Sequence, residues 1–171
     1  MEPAESSAAA LRTGSASLLH SSEDLDVPAR TAFELLAQIE KWPVWLSLLR
    51  SARRADESVP LGLGSEIVLR SSIPGDVEQV YEIDGFLAGH IISLVGAYSI
   101  RRRIDLRVES KSTHSRLVVR LDYPAYGGPV GQFIDRMTAR RRLATQLDAS
   151  LVHFKGLVEY AAREGEALDD L

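Results

Sequence analysis

The run "GGPVGQFIDRMTARRRLATQLDASLVHFKGLVEYAARE" near the C-terminus constrains the fold more than any other stretch. It reads as one long helix with Pro129 in its first turn, where a proline forfeits no bond the helix would have made. Val130, Phe133, Met137, Ala144, Leu147, Leu151, Phe154, Val158 and Ala161 recur along it as an apolar stripe. Such a helix must lie along something apolar of matching length, and a sheet is the expected partner.

The preceding chain supplies one. "GSEIVLRSS", "VEQVYEID", "HIISLVGA", "YSIRRRIDLRVES" and "HSRLVVRLDY" each look like a strand, separated by "SIPGD", "GFLAG" and "KST", which are turn or breaker residues. "SARRADES" offers one strand more. Upstream, "SLLHSSEDLDV" reads as a first strand closed by Pro28. "PARTAFELLAQIEKW" then places Ala32, Leu35, Leu36 and Ile39 at helical spacing, predicting a helix from Pro28 to Lys41. Pro43 is expected to end it, and "VWLSLLR" to resume as a second short helix.

Composition bounds the possibilities. At 171 residues and 45% hydrophobic content, the chain suits a single core. Its formal net charge of -4 gives no basic field to draw it onto nucleic acid or an anionic membrane. There is no cysteine, which excludes disulfides, thiolate nucleophiles and zinc-thiolate sites. Residues 1–16, rich in Ala and Ser, read as a disordered leader, 17–163 as the folded domain and 164–171 as a flexible acidic tail. With no signal-like start and no apolar run of membrane-spanning length, a cytoplasmic monomer or homodimer is expected, without integral membrane association.

A strand, two short helices, a meander and a long closing helix describe an α+β chain. That order, the passage "VPARTAFELL" leading to "WPVW" (Val27 to Trp45), and "LGLG" (Leu61 to Gly64) before a strand resemble the START/Bet v 1-like (SRPBCC) superfamily. Within it, the likeness is to bacterial proteins of the polyketide cyclase/dehydrase or lipid-transport type, over about residues 17–163. The resemblance implies a helix-grip fold: a curved seven-stranded antiparallel sheet wrapped around the C-terminal helix, with two short helices after the first strand. It also implies a cavity between helix and sheet for a hydrophobic small molecule, and no cofactor.

Alternation along the strands predicts which side chains would see that cavity. In "YSIRRRIDLRV" one face carries Tyr98, Ile100, Arg102, Ile104, Leu106 and Val108, an apolar row holding a single arginine. Arg102 would either anchor a carboxylate, phenolate or enolate of a ligand, or reach water or an internal acid. Gln79 and Tyr81 share a face with Val77 and Ile83, and Tyr123 shares one with Leu117, Val119 and Leu121. Tyr81, Tyr98 and Tyr123 would thus place hydroxyls on an apolar wall, or simply pack at strand ends. Trp42 and Trp45 are expected to cap the core where helices meet sheet, with Trp45 as an aromatic ligand wall the alternative. Phe133 and Met137 on the helix stripe complete the lining. Arg141, one turn after Met137, stands as a candidate for the cavity mouth. Glu23 is expected to be exposed, although alternation from Leu25 and Val27 would turn it inward, toward Arg102 or a general acid/base role.

Other constellations fail on spacing. His20, His90, His114 and His153 are scattered without metal-ligand spacing, "GLG" lacks a dinucleotide setting, and "GGPVG" lacks a phosphate-loop lysine. The runs Arg101 to Arg103 and Arg140 to Arg142 suggest nucleic acid, but the first splits across both faces of a strand, and at least one arginine of the second must approach the helix stripe. Three functions follow in order: a binder of a polyketide, isoprenoid, quinone or fatty acyl compound; a polyketide aromatase/cyclase or dehydratase; and a protein-interaction module with a filled cavity. The arginine-bearing strand motif of the well-defined aromatase/cyclases has no counterpart at a matching position, so no catalytic residue is carried over.

Overall fold

The computed structural model describes residues 17–72, 78–97, 102–123 and 132–165, with only the backbone for Ser17, Tyr123 and residues 132–137. The leader, the last six residues, Tyr98, Ile100, Pro129 and Val130 lie outside them.

Seven antiparallel strands form one sheet: β1 (Ser17–Leu25), β2 (Leu49–Arg54), β3 (Glu66–Ser71), β4 (Glu78–Leu87), β5 (Ile91–Gly96), β6 (Arg103–Lys111) and β7 (His114–Tyr123). Their order is β1-β7-β6-β5-β4-β3-β2. β2 to β7 are thus a meander, and β1 closes onto its last strand. Between β1 and β2 lie α1 (Ala29–Leu36) and α2 (Trp42–Trp45), and α3 (Gln132–Glu164) ends the chain. The sheet curls around α3, giving the expected helix-grip fold. Leu147, Leu151, Phe154 and Val158 of α3 share one core with Leu94, Leu106, Leu117 and Val119 of the sheet.

Polar contacts hold α3 along β1. Ser21 donates to Asp148 at 2.5 Å, Lys155 Nζ donates to the Asp24 carbonyl at 2.8 Å, and the Asp26 N–H donates to Glu159 at 2.8 Å. Glu23 is half-buried, with Lys155 Nζ 3.6 Å away. The expectation of exposure fails there because β1 alternates strictly, Leu19, Ser21, Glu23 and Leu25 all facing α3, whose lysine supplies a partner.

The expected helix from Pro28 to Lys41 is interrupted. α1 stops at Leu36; Gln38 leaves helical geometry at φ -83° and ψ 79°, and Ile39–Lys41 make one 3-10 turn before α2. Pitch alone does not require this break, since in an unbroken helix Trp42, seven residues after Leu35, would stay near the azimuth of the apolar face. The break leaves Ile39 and Trp42 both in the core, each fully buried. It also satisfies the helix end. The Phe33 carbonyl accepts from the Ala37 N–H, that of Leu35 from the Gln38 N–H, and that of Leu36 from the Trp42 indole at 2.8 Å.

Pro43 therefore does not end a helix; it stands in the first turn of α2, where its missing donor costs nothing. The second helix likewise stops at Trp45, and Leu49–Arg54 is the edge strand β2. "GFLAG" is not a turn throughout: Gly85, Phe86 and Leu87 belong to β4, after an irregularity between Ile83 and Gly85, and the chain reverses over Ala88–His90. Gly89 takes φ +84° in that reversal, a conformation that favours glycine. Gly85 answers a different need, since a Cβ there would lie 3.0 Å from the Ser93 Cβ on β5.

Candidate functional site

A cavity of about 100 Å³ lies at one end of the sheet, beneath the segment that leaves α2. Its apolar wall is Leu46, Leu48 and Leu49 from that segment, Leu69 of β3, Ile104 of β6 and Leu121 of β7. Its polar groups are Ser71, Gln79, Tyr81, Arg102 and Asp122.

Register explains how three of these meet. Gln79 and Tyr81 are two apart on β4 and share its inner face. Tyr81 pairs with Gly96 of β5, and the Gly96 N–H donates to the Arg102 carbonyl at 2.8 Å. Along the row Tyr81, Gly96, Arg102, the middle residue has no side chain, so the two outer ones can reach across it. They converge on one atom. Gln79 Oε1 accepts from Arg102 Nη1 at 3.1 Å and from the Tyr81 hydroxyl at 3.2 Å. Burial pushes the Tyr81 phenol above its ordinary range, with Arg102 opposing the shift. At neutral pH it is a proton-bearing donor.

Gln79, Tyr81 and Arg102 are thus brought together on the wall. Trp45 is 1% exposed and does not border the cavity; its ring packs edge-on against Phe154, with centroids 5.0 Å apart. Its indole nitrogen has no hydrogen-bond partner among the described residues. Arg141 is exposed, as are Arg140 and Arg142, so the expectation that one of them approaches the apolar stripe is not met. Arg141 lies six residues before Leu147, about 120° around the helix from the buried stripe. Arg140, seven residues before Leu147, does share its azimuth and is still exposed, and among the described side chains of α3 packing against the core starts at the half-buried Leu143 and Ala144. Tyr98 and the side chains of Tyr123, Phe133 and Met137 are outside the described residues.

The sequence reading missed the three leucines after α2, because it placed them in a helix, and it missed Leu69, Ser71 and Asp122. Alternation through Ile67, Leu69 and Ser71 on β3 carried a signal for two of them. Among the described residues, no three His, Asp or Glu side chains cluster as metal ligands would, and no helix is long and apolar enough to cross a membrane.

A sheet gripping a long helix, with a cavity at one end of the sheet, defines a START/Bet v 1-like protein. The chain belongs to the family described as polyketide cyclase / dehydrase and lipid transport, which it matches over residues 19–159. Among solved structures, the Zhui aromatase/cyclase from Streptomyces sp. R1128 is similar with a TM-score of 0.68 at 13% identity, over 88% of this chain and 98% of that one. A START superfamily protein from Mycobacterium smegmatis reaches 0.55 at 14% identity, over 84% and 97%. The di-domain ARO/CYC BexL from the BE-7585A biosynthetic pathway reaches 0.57 at 15% identity, over 85% of this chain and 47% of that one. At such identities the likeness is one of fold. No curated protein matches the sequence significantly.

Proposed function

We propose that this protein binds a hydrophobic small molecule, of polyketide, isoprenoid, quinone or fatty acyl type, in the cavity between the sheet and the segment that leaves α2. The cytoplasmic setting expected from the sequence is part of this reading. One observation carries it: an apolar wall interrupted by the bonded cluster of Arg102, Gln79 and Tyr81. Ligand sites are built in this way, with apolar surface for affinity and a few placed polar groups for orientation. The test is native mass spectrometry with identification of any co-purifying compound, together with thermal melts across a panel of these ligand classes. A ligand that binds only the folded state raises the melting temperature, by the equivalent of about 2.7 kcal/mol at a hundred times its Kd. A bare protein whose melting no compound shifts ends the reading.

A second reading, a cyclase or dehydratase, is favoured by the Tyr81 phenol. Burial pushes it above its ordinary range, and it donates to the same oxygen as Arg102. A proton donor and a cation able to steady an enolate then share one wall. Tyr81→Phe and Arg102→Met should each lower turnover of a poly-β-keto substrate by about a hundredfold or more. Turnover that survives both substitutions removes catalysis from this wall.

A further inference from the structure

We infer that this protein self-associates through the outward face of α3, two copies packing these helices antiparallel about a twofold axis between Val152 and Gly156.

Three observations carry the inference. The first is a glycine that the chain itself does not need. Gly156 stands in the interior of α3, where glycine weakens a helix more than any residue except proline. A Cβ built on it would meet nothing within 4 Å, so no packing inside the molecule calls for the missing side chain. A gap on the outside of a helix instead admits the close approach of a neighbour.

The second is the row in which that glycine lies. At about 100° per residue, Thr145, Ala149, Val152, Gly156 and Tyr160 fall within about 40° of one direction, opposite the buried Leu147. All five are exposed, Val152 at 58% and Tyr160 at 46%. The outward face of a surface helix is ordinarily charged, yet this row carries no charge over about four turns. Along it small and large residues alternate, from Ala149 through Val152 and Gly156 to Tyr160. A twofold axis midway between Val152 and Gly156 sets Val152 of each copy over Gly156 of the other, and Tyr160 beside Ala149. The row therefore complements itself, as an isologous interface requires.

The third is charge. The N-terminal half of α3 exposes Arg140, Arg141 and Arg142. From Glu159 onward the sequence holds Glu164, Glu166, Asp169 and Asp170, with Arg163 the one base among them. Antiparallel packing about the axis brings Arg142 to the end of the other helix, where Glu164 is exposed, whereas parallel packing would set arginine against arginine. Charge thus fixes the direction of the pair, and the alternating row fixes its register.

The experiment is sedimentation velocity on the whole chain from low micromolar to millimolar concentration, joined to cross-linking through single introduced cysteines, the chain having none of its own. A dimer that dissociates on dilution is expected. Gly156→Leu should weaken it by about tenfold or more. The same change should raise the melting temperature of the dilute monomer by about 2–4 °C, because leucine favours the helix and finds open space. A general effect on the fold would move association and melting in the same direction. Arg142→Glu should also weaken the dimer, and adding Glu164→Arg should restore it. His153→Cys, beside the axis, should link two copies on mild oxidation, whereas Thr145→Cys should not, since antiparallel packing holds its two copies about 27 Å apart along the helices. A chain that stays monomeric throughout overturns the inference. So does a dimer that Gly156→Leu leaves intact, or one that Thr145→Cys links, because its interface then lies elsewhere or runs parallel. Should Gly156→Leu fail to fold, Val152→Glu decides the same point, since its side chain is exposed in the monomer and would be buried only in the dimer.

Discussion

Trp42 and Trp45 sit three residues apart and are equally buried, yet their polar atoms have opposite fates. The Trp42 indole donates to the Leu36 carbonyl and so finishes α1, whereas the Trp45 indole nitrogen is buried with no partner among the described residues. Exchange for phenylalanine removes a similar volume at both places. At Trp42 it also strands a buried carbonyl, while at Trp45 it deletes a donor that contributes nothing. Trp42→Phe should therefore destabilise the fold by about 1–3 kcal/mol more than Trp45→Phe in urea unfolding. Equal losses would show that the Trp45 nitrogen finds a partner, such as a buried water. The sequence showed that both indoles belong where helices meet sheet. It could not separate them, because the partner of Trp42 is a backbone atom exposed only when the helix breaks.

At the scale of elements, α3 is fastened to the segment that walls the cavity. Ser150, buried on α3, accepts from the Ser47 N–H at 3.1 Å, lies 3.1 Å from the Ser47 hydroxyl, and donates to the Gln146 carbonyl at 2.7 Å. Ser47 lies between Leu46 and Leu48, both on the cavity wall. Ser150→Ala leaves a backbone donor unpaired and should cost about 1–3 kcal/mol. Faster hydrogen exchange at Ser47 than at the β6–β7 ladder would locate the loosening in this joint. Uniform acceleration throughout would contradict that account. The strand faces, by contrast, were legible from alternation alone: Arg102, Ile104, Leu106 and Val108 turn inward from the half-buried to the buried, while Arg103, Arg107 and Glu109 are exposed. A two-residue period is a local property and survives any arrangement of neighbouring strands. The short pieces around Pro43 were misread because helix and strand propensities nearly balance there, and burial of Ile39, Trp42 and Leu48 decided between them.

Taken as a whole, the molecule closes its sheet at β1, and Asp24 is part of that closure. On the outer face it accepts from Arg116 at 2.7 and 2.8 Å and from Lys111 at 3.1 Å, joining β1 to β7 and β6. Arg116, and after it Lys111, hold its carboxyl far below the usual carboxylate range. A depressed folded-state value stabilises the fold fully above the unfolded value of about 4, and the contribution is lost as pH falls below that point. The carboxylate is open to solvent, so the effect is small and weakens with salt. Asp24→Asn should melt lower than the parent at pH 7, with the gap closing below about pH 4. A gap that persists at acid pH would show that the carboxylate's charge is not its source.

By itself the sequence determined the number and kind of the main elements, the inward rows of the meander and the family, because periodicity and turn chemistry act over a few residues. Only the tertiary structure decided that Gln79, Tyr81 and Arg102 share one oxygen, that Trp45 and Arg141 stand away from the cavity, and that three leucines after α2 form its wall. These depend on register, on a glycine opposite Tyr81 and on where a helix breaks. Each of those is set by contacts between segments far apart in the chain.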